Sequence, residues 1–168
     1  MFDLIDHPAH PDSHLIFASE FFNKQLSLYE IDKQTGALKN QRTIDSSIDQ
    51  AYSVKYVDID GDGEEELLVN NHESDNKKAA LFLYYVPKDD LFEGQFVKHV
   101  IASGFKNAFS LTGMNMCPGF PYQVYPDSNK RSGMSHILIA GDGDHSAHLL
   151  RPTGDPEEMF ERELIKDF

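Results

Sequence analysis

At 168 residues the chain has the length of one average domain and is long enough to bury a substantial core. Its 28 acidic residues outnumber its 15 lysines and arginines and leave a formal net charge of −13. This charge argues against nucleic acid and anionic membrane surfaces as partners. No apolar run reaches the roughly 20 residues that a membrane span needs. The single Cys117 excludes an internal disulfide and leaves the compartment open.

The predicted elements are β-strands almost throughout. Short segments rich in Val, Ile, Leu, Tyr and Phe are separated by Gly, Pro, Asp and Asn, which is typical of strands joined by turns. In chain order the predicted strands are Leu15–Ser19, Gln25–Glu30, Asn40–Ile44, Ser53–Val57, Glu66–Asn70, Ala80–Tyr85, Phe96–Ile101, Gln123–Tyr125, His136–Ala140, His148–Arg151 and Phe160–Ile165. The segment MFERELIKDF, which contains the last of them, is also compatible with a terminal helix.

An internal repeat organises these strands. The segments SHLIFASEF, EELLVNNHE and SHILIAGDG share a polar pair, four apolar or near-apolar residues, and then small and acidic residues. Second and third strands follow each segment, and a fourth leads back between units, so the unit is four antiparallel strands. We predict one domain of three units at 13–57, 58–125 and 126–168, with an inserted loop at 105–122. Four strands roughly every 50 residues is the period of a β-propeller blade.

The predicted fold is therefore all-β, with about three four-stranded antiparallel blades in an incomplete ring. Closed propellers typically have about 4–8 blades, so an arc of three leaves apolar sheet faces uncovered at its ends. We expect the chain to be part of a longer propeller or to self-associate. No leader precedes MFDLID and no closing strand follows FERELIKDF, which favours the longer propeller.

The stretch VDIDGDGEEELLV contains the most informative spacing in the chain. An EF-hand loop that began at Asp58 would need a bidentate glutamate at position 12, where the sequence has Val69. The flanking segments also have strand patterns, whereas EF-hand loops join helices. These two features exclude an EF-hand.

The loop still offers hard oxygen donors at alternate positions. Side-chain oxygens of Asp58, Asp60, Asp62 and Glu66, with the backbone carbonyl of Glu64, match the 6–8 oxygen ligands that Ca²⁺ prefers. Carboxylates held this close would repel one another without a cation. The alternative is a solvent-exposed acidic turn that binds no ion. We predict Ca²⁺ as the cofactor.

The segment DIDGDGEEELLV resembles the D-x-D-G-D-G-x-x-D-h-h-h calcium loop of FG-GAP/VCBS repeats, the blades of integrin-α-like β-propellers. Glu66 stands where that family usually has Asp. The blade pattern covers nearly the whole chain, whereas the acidic calcium-loop motif occurs only once. The resemblance implies a calcium-stabilised module that binds a protein or glycan ligand in adhesion. It also suggests an extracellular location, although the sequence contains no signal peptide.

The corresponding loop of the third unit lacks the acidic spacing. It reads SNKRSGMSH, with Lys130 and Arg131 where the second unit has Asp60 and Gly61. Positive side chains at these positions would repel a cation. We therefore predict one calcium ion per chain.

A second cluster lies in AGDGDHSAHLLRP. Asp142, Asp144, His145 and His148 could hold Zn²⁺ or a catalytic metal, or GDGD could simply be the turn of a hairpin. A metal site here would favour a second function, taken from a resemblance at the level of the fold: a metal-dependent carbohydrate lyase of the aldos-2-ulose dehydratase type. We favour the binding module over the enzyme, because the module explains the strongest motif. Metal analysis separates them, since calcium alone indicates the module and stoichiometric zinc indicates the enzyme.

Overall fold

The structure is a computed structural model that describes residues 1–72, 78–105, 117–126, 133–141, 143 and 145–167. Within these ranges the chain forms twelve strands, and it contains no helix long and apolar enough to cross a membrane. In chain order the strands are β1 (Phe2–Ile5), β2 (Ser13–Glu20), β3 (Gln25–Asp32), β4 (Leu38–Asp45), β5 (Gln50–Val57), β6 (Glu66–His72), β7 (Ala80–Tyr85), β8 (Val97–Ser103), β9 (Pro121–Val124), β10 (His136–Ala140), β11 (Ser146–Pro152) and β12 (Phe160–Asp167).

The strands form three four-stranded antiparallel sheets. The first sheet contains β1–β4, the second β5–β8 and the third β9–β12, and in every sheet the strands lie side by side in chain order. Short turns join most consecutive strands, which is the connection that antiparallel pairs permit. The all-β class and the four-stranded antiparallel unit predicted from the sequence are therefore confirmed for the described residues.

All eleven predicted strands overlap a strand of the structure, and the segment MFERELIKDF forms β12 and no helix. Strand β1 was not predicted from the sequence. This strand pairs with β2, from Phe2 opposite Ala18 to Ile5 opposite Leu15, and gives the first sheet an incoming strand. Four residues contain too few alternations for the pattern to be recognised.

The sheets also divide the chain differently from the predicted units. Strand β5 falls within predicted unit 13–57, yet it pairs with β6 in the second sheet. Likewise β9 falls within predicted unit 58–125 and pairs with β10 in the third sheet. The strand that leads back between units is thus the first strand of the next sheet.

The second sheet lies between the other two, and its strand β6 is buried on both sides. Every residue of β6 is buried. Leu67 and Val69 belong to a core cluster that includes Phe17 of the first sheet. Leu68 belongs to a second cluster that includes Ile137 of the third sheet. Because successive strand residues point to opposite faces, β6 has buried side chains on both sides, whereas β2 of the first sheet alternates between buried and half-buried residues.

Aromatic rings fill the contact between the first and second sheets. Phe17 is fully buried and its ring stacks on that of Tyr56 at a centroid distance of 5.5 Å. The ring of Phe96 meets the Phe17 ring edge-on at 6.4 Å. Such offset and edge-on geometries are the ones that aromatic pairs prefer.

The predicted insertion 105–122 can be followed only at its two ends, because residues 106–116 lie outside the described residues. Phe105 is buried, and β9 begins at Pro121, so the last two residues of the predicted loop belong to a strand. The amide of Asn70 donates hydrogen bonds to the carbonyl oxygens of Pro118 (2.5 Å) and Gly119 (3.1 Å). The segment before β9 is thereby attached to the second sheet.

Candidate metal centre

The acidic loop connects β5 to β6 and is shaped by its own aspartates. The carboxylate of Asp58 accepts hydrogen bonds from the backbone N–H groups of Gly61 (2.6 Å) and Gly63 (3.1 Å). Both glycines have positive φ, +76° and +91°, a conformation in which a side chain is strained. The sequence D-x-D-G-D-G therefore forms a tight turn because the glycines supply the geometry and Asp58 supplies the acceptors.

Two further aspartate contacts continue the turn. Asp60 Oδ1 accepts from the N–H of Asp62 at 3.2 Å, and Asp62 Oδ1 accepts from the N–H of Glu64 at 2.8 Å. Each carboxylate is thus oriented by the backbone two residues further along.

Three of the predicted ligands converge. One carboxylate oxygen from each of Asp58, Asp60 and Glu66 lies within 4.8 Å of the other two. Oxygens in contact with a shared Ca²⁺ at about 2.3–2.6 Å would be separated by distances of this order. Within the described ranges, this is the single group of three or more acidic, His or Cys side chains that meets this criterion.

Glu66 is the most unusual member of the group. Its side chain begins β6 and is 2% exposed, and its Oε2 accepts the N–H of Ile59 at 2.9 Å. Burial raises the pKa of Glu66 to about 7, and the negative charges of Asp60, Asp62 and Asp58 add to this effect. Without a cation, the buried carboxylate is therefore protonated over much of the acidic range.

The remaining predicted ligands lie at the edge of the group. Asp62 and Glu64 are both exposed, and the Glu64 carboxylate forms an ion pair with Lys88 at 3.3 Å. The pKa of Asp60 is raised by partial burial and by the charges of Asp62 and Asp58. The group is thus a net negative site with one buried carboxylate and further acidic side chains near solvent.

The third sheet supports the loop from behind. The backbone N–H and hydroxyl of Ser135 donate to the carbonyl of Ile59 at 2.8 and 3.1 Å. The amide of Gln123 donates to the carbonyl of Asp58. These positioning residues were not predicted, because no local pattern connects Ser135 or Gln123 to a loop more than 60 residues earlier in the chain. The repeat register offered one signal, since it aligns Ser135 with the end of the acidic loop.

The loop also lies close to Gly133, in the segment that leads into β10 of the third sheet. A Cβ added to Gly61 would lie 2.6 Å from the backbone nitrogen of Gly133, whereas a Cβ added to Gly63 would meet nothing within 4 Å. Both glycines have positive φ, so the same substitution at the two positions carries a similar backbone strain. Comparing the same substitution at Gly61 and at Gly63 therefore isolates the effect of the contact with Gly133 on stability.

We expect Gly61→Ala to destabilise the protein by roughly 2–4 kcal/mol and Gly63→Ala by about 1–2 kcal/mol, because only the first adds a backbone clash to the positive-φ cost. Chemical denaturation in EDTA measures both free energies of unfolding. Equal losses in the two variants would show that the loop does not press against the third sheet.

A cavity of about 310 Å³ opens beside the loop. Acidic and aromatic side chains line it, among them Asp62, Glu66, Tyr56 and Tyr85. Burial, followed by the charge of Glu65, raises the pKa of Tyr56 to about 12, so this phenol keeps its proton. The cavity thus reaches the otherwise buried Glu66.

The second predicted cluster can be followed only in part. Asp142 and Asp144 lie outside the described residues, as do Lys130 and Arg131 of the third-unit loop. His145 is exposed and has a positive φ of 55°. His148 is buried in β11, where its ring meets that of Phe105 edge-on at 5.5 Å. The structure thus places His145 in a turn and His148 against the core.

No protein-family model matches this chain, and comparisons with curated proteins and with solved structures found no match.

Proposed function

We propose that this chain is a calcium-binding repeat module of the β-propeller type, in which the loop 58–66 holds one Ca²⁺ and the module binds a protein or glycan ligand. The convergence of oxygens from Asp58, Asp60 and Glu66 within 4.8 Å carries the proposal. The ligand class rests on the resemblance of the loop to FG-GAP/VCBS repeats.

The donor set favours calcium over a transition metal. The converging group contains carboxylate oxygens and no nitrogen or sulfur donor. Hard cations take oxygen ligands, whereas Zn²⁺ sites usually include His or Cys. Asp62, the carbonyl of Glu64 and water from the adjoining cavity would complete the 6–8 ligands of Ca²⁺.

The sheet arrangement supports the propeller part of the proposal. Three sheets of the same size and strand order follow one another along the chain, and the second packs between its neighbours. Equivalent strands also meet at the contact of the first two sheets, where the carboxylate of Asp3 in β1 accepts the N–H of Tyr56 in β5 at 2.8 Å. Stacked four-stranded meanders are the building pattern of propeller blades.

The proposed role of the ion is structural. The loop belongs to the second sheet, while the carbonyls of Asp58 and Ile59 receive donors from the third. A cation that neutralises the carboxylates would hold this loop in one shape and so strengthen the contact between the two sheets. Ligand-binding loops on such a module then rest on a rigid scaffold. No described residue favours the lyase over this module.

We expect Ca²⁺ to raise the melting temperature of the EDTA-treated protein. A ligand that binds only the native state stabilises it by about 2.7 kcal/mol at a free concentration of 100 times its Kd. Asp60→Ala should remove most of this gain, because it deletes one converging carboxylate. Asp89→Ala, at an exposed position outside the loop, is the matched control and should keep the gain.

Calorimetric titration and metal analysis complete the test. The expected result is one Ca²⁺ per chain, with no stoichiometric zinc. If calcium and EDTA leave the parent protein with the same melting temperature, the calcium proposal is wrong. Stoichiometric zinc that survives dialysis would instead support the metal-dependent lyase.

A further inference from the structure

The stack of three sheets ends in two open faces. Both core clusters contain residues of the second sheet, whereas the described apolar residues on one face of the first sheet and one face of the third belong to neither cluster. Among the described residues, the second sheet contacts this set through the Lys55 amine, 5.6 Å from the centre of the Tyr122 ring. Residues directly opposite each other in antiparallel strands point to the same side of a sheet. The strand registers therefore identify the side chains that form each open face.

The open face of the first sheet is apolar on its first two strands. Leu4 lies opposite Ile16, and Ile16 lies opposite Tyr29. Phe2 lies opposite Ala18 in the neighbouring row and is 66% exposed. The other side of the same strands is occupied by buried core residues, and the core clusters of the described residues do not include Phe2, Leu4 or Ile16.

The open face of the third sheet has the same distribution. Leu138 of β10 pairs with Tyr122 of β9 on one side and with Leu149 of β11 on the other. Val124 follows on the first strand and is also exposed, and Tyr122 is 52% exposed. The apolar side chains again concentrate on the first two strands of the sheet, β9 and β10, together with the adjoining β11.

We propose that a second copy of this chain covers these faces, so that two chains form one closed ring of six sheets. We call the face of a sheet that packs on the next sheet along the chain its rear face, and the opposite face its front face. Leu68 on the rear face of the second sheet packs in one cluster with Ile137 on the front face of the third. Leu138 is on the rear face of the third sheet, and Ile16 is on the front face of the first. One open face is therefore a rear face and the other a front face, and inside the chain rear faces pack on front faces.

The third sheet of each copy meets the first sheet of the other, so a two-fold axis relates the two contacts and the pair is closed. Six sheets lie within the range of about 4–8 blades that closed propellers contain. Both apolar patches lie on the first two strands of their sheets, so stacking in the same orientation would bring them into contact.

The area is sufficient for a stable dimer. Four strands about 4.8 Å apart and about seven residues long give a sheet face of roughly 400 Å². A ring of two copies covers four such faces and buries roughly 1,600 Å² in total, within the range of about 1,200–2,000 Å² that specific stable interfaces bury. A single contact would bury only half of this area, which favours the closed pair over an open chain of copies.

Sedimentation equilibrium of the full chain at micromolar concentration tests the proposal. We expect a particle of twice the 19.1 kDa chain mass, both in excess calcium and in EDTA, because neither face contains the acidic loop. The measurement in EDTA tests the dimer without calcium, so the dimer proposal can hold even if the calcium proposal is wrong. A monomer would overturn it, and so would a concentration-dependent series of larger species.

Two charged variants test which faces meet. Ile16→Asp and Leu138→Lys should each give a monomer, because each places a charge against an apolar face at both contacts. Mixed in equal amounts they should form a dimer, since one contact then joins opposite charges and the other joins two unchanged faces. Phe22→Asp, in the turn after β2 and away from both faces, should remain dimeric.

Circular dichroism and a cooperative thermal transition establish that each variant is folded, so that loss of association is not loss of structure. A dimer that survives both single substitutions would place the interface elsewhere and overturn the proposal. Monomers that fail to pair on mixing would exclude the contact between the first and third sheets and overturn the proposal.

Discussion

Glu66→Gln is expected to stabilise the protein in EDTA at about pH 8 and to abolish the stabilisation by calcium. The substitution removes a buried charge from a group of carboxylates, while its amide oxygen can still accept the N–H of Ile59. The pKa of Glu66 is raised from 4.5 to about 7, and each pKa unit corresponds to about 1.4 kcal/mol. The expected gain is therefore about 3 kcal/mol at most, or roughly 6–12 °C in melting temperature.

The pH dependence has a definite sign. Because the folded state binds the Glu66 proton more tightly than the unfolded state, this group's contribution to stability is fully present below pH 4.5. The contribution is lost as the pH rises through about 7. The metal-free parent should thus lose stability relative to Glu66→Gln as the pH rises from about 5 to about 8. Thermal unfolding in EDTA across this range measures the difference.

Glu65→Gln is the matched control, since it removes the neighbouring charge at an exposed position of the same loop. It should change stability by less than about 0.5 kcal/mol and should keep the response to calcium. A parent protein and Glu66→Gln variant that respond equally to calcium would show that Glu66 is not a ligand. A destabilised variant in EDTA would show that the carboxylate is not strained by its neighbours.

Phe17→Ala should destabilise the protein by about 3–5 kcal/mol, the usual cost of removing a large aromatic side chain from a packed core. The Phe17 ring is fully buried between the first and second sheets, where it contacts the rings of Tyr56 and Phe96. Its removal leaves a cavity at the contact on which the stacking of the two sheets depends. Chemical denaturation of the parent and the variant measures the loss.

Phe22→Ala provides the control with the same chemical change. Phe22 is 91% exposed in the turn after β2, so its removal should alter the free energy of unfolding by less than about 0.5 kcal/mol. A loss below about 1 kcal/mol for Phe17→Ala would mean that the first sheet does not pack on the second through this residue.

The strands and the acidic turn could be predicted from the sequence because their causes are local. Strand residues are identified by their apolar and β-branched character, and the turn by Gly61, Gly63 and the alternating aspartates. The same local spacing brings Asp58 and Asp60 onto one side of the loop. For β1 the local signal was insufficient, since its four residues gain their strand conformation from pairing with β2.

The environment of the site depends on residues that are distant along the chain. Ser135 and Gln123 are 76 and 65 positions away from their acceptors, Ile59 and Asp58, and no local pattern connects them. The raised pKa of Glu66 likewise requires its burial at the start of β6, within a sheet that is covered on both sides. Sequence alone shows a carboxylate at this position and cannot show how much water reaches it.

By itself, then, the sequence determined the all-β class, the four-stranded unit and the oxygen-rich loop, because backbone preference, side-chain alternation and turn chemistry act over a few residues. Only the tertiary structure decided which strands share a sheet, which sheet lies in the middle, which carboxylate is buried and which described residues form the two core clusters. These properties arise from contacts between segments tens of residues apart. Such contacts depend on how the sheets stack, and the stacking follows from the combined packing of all three sheets.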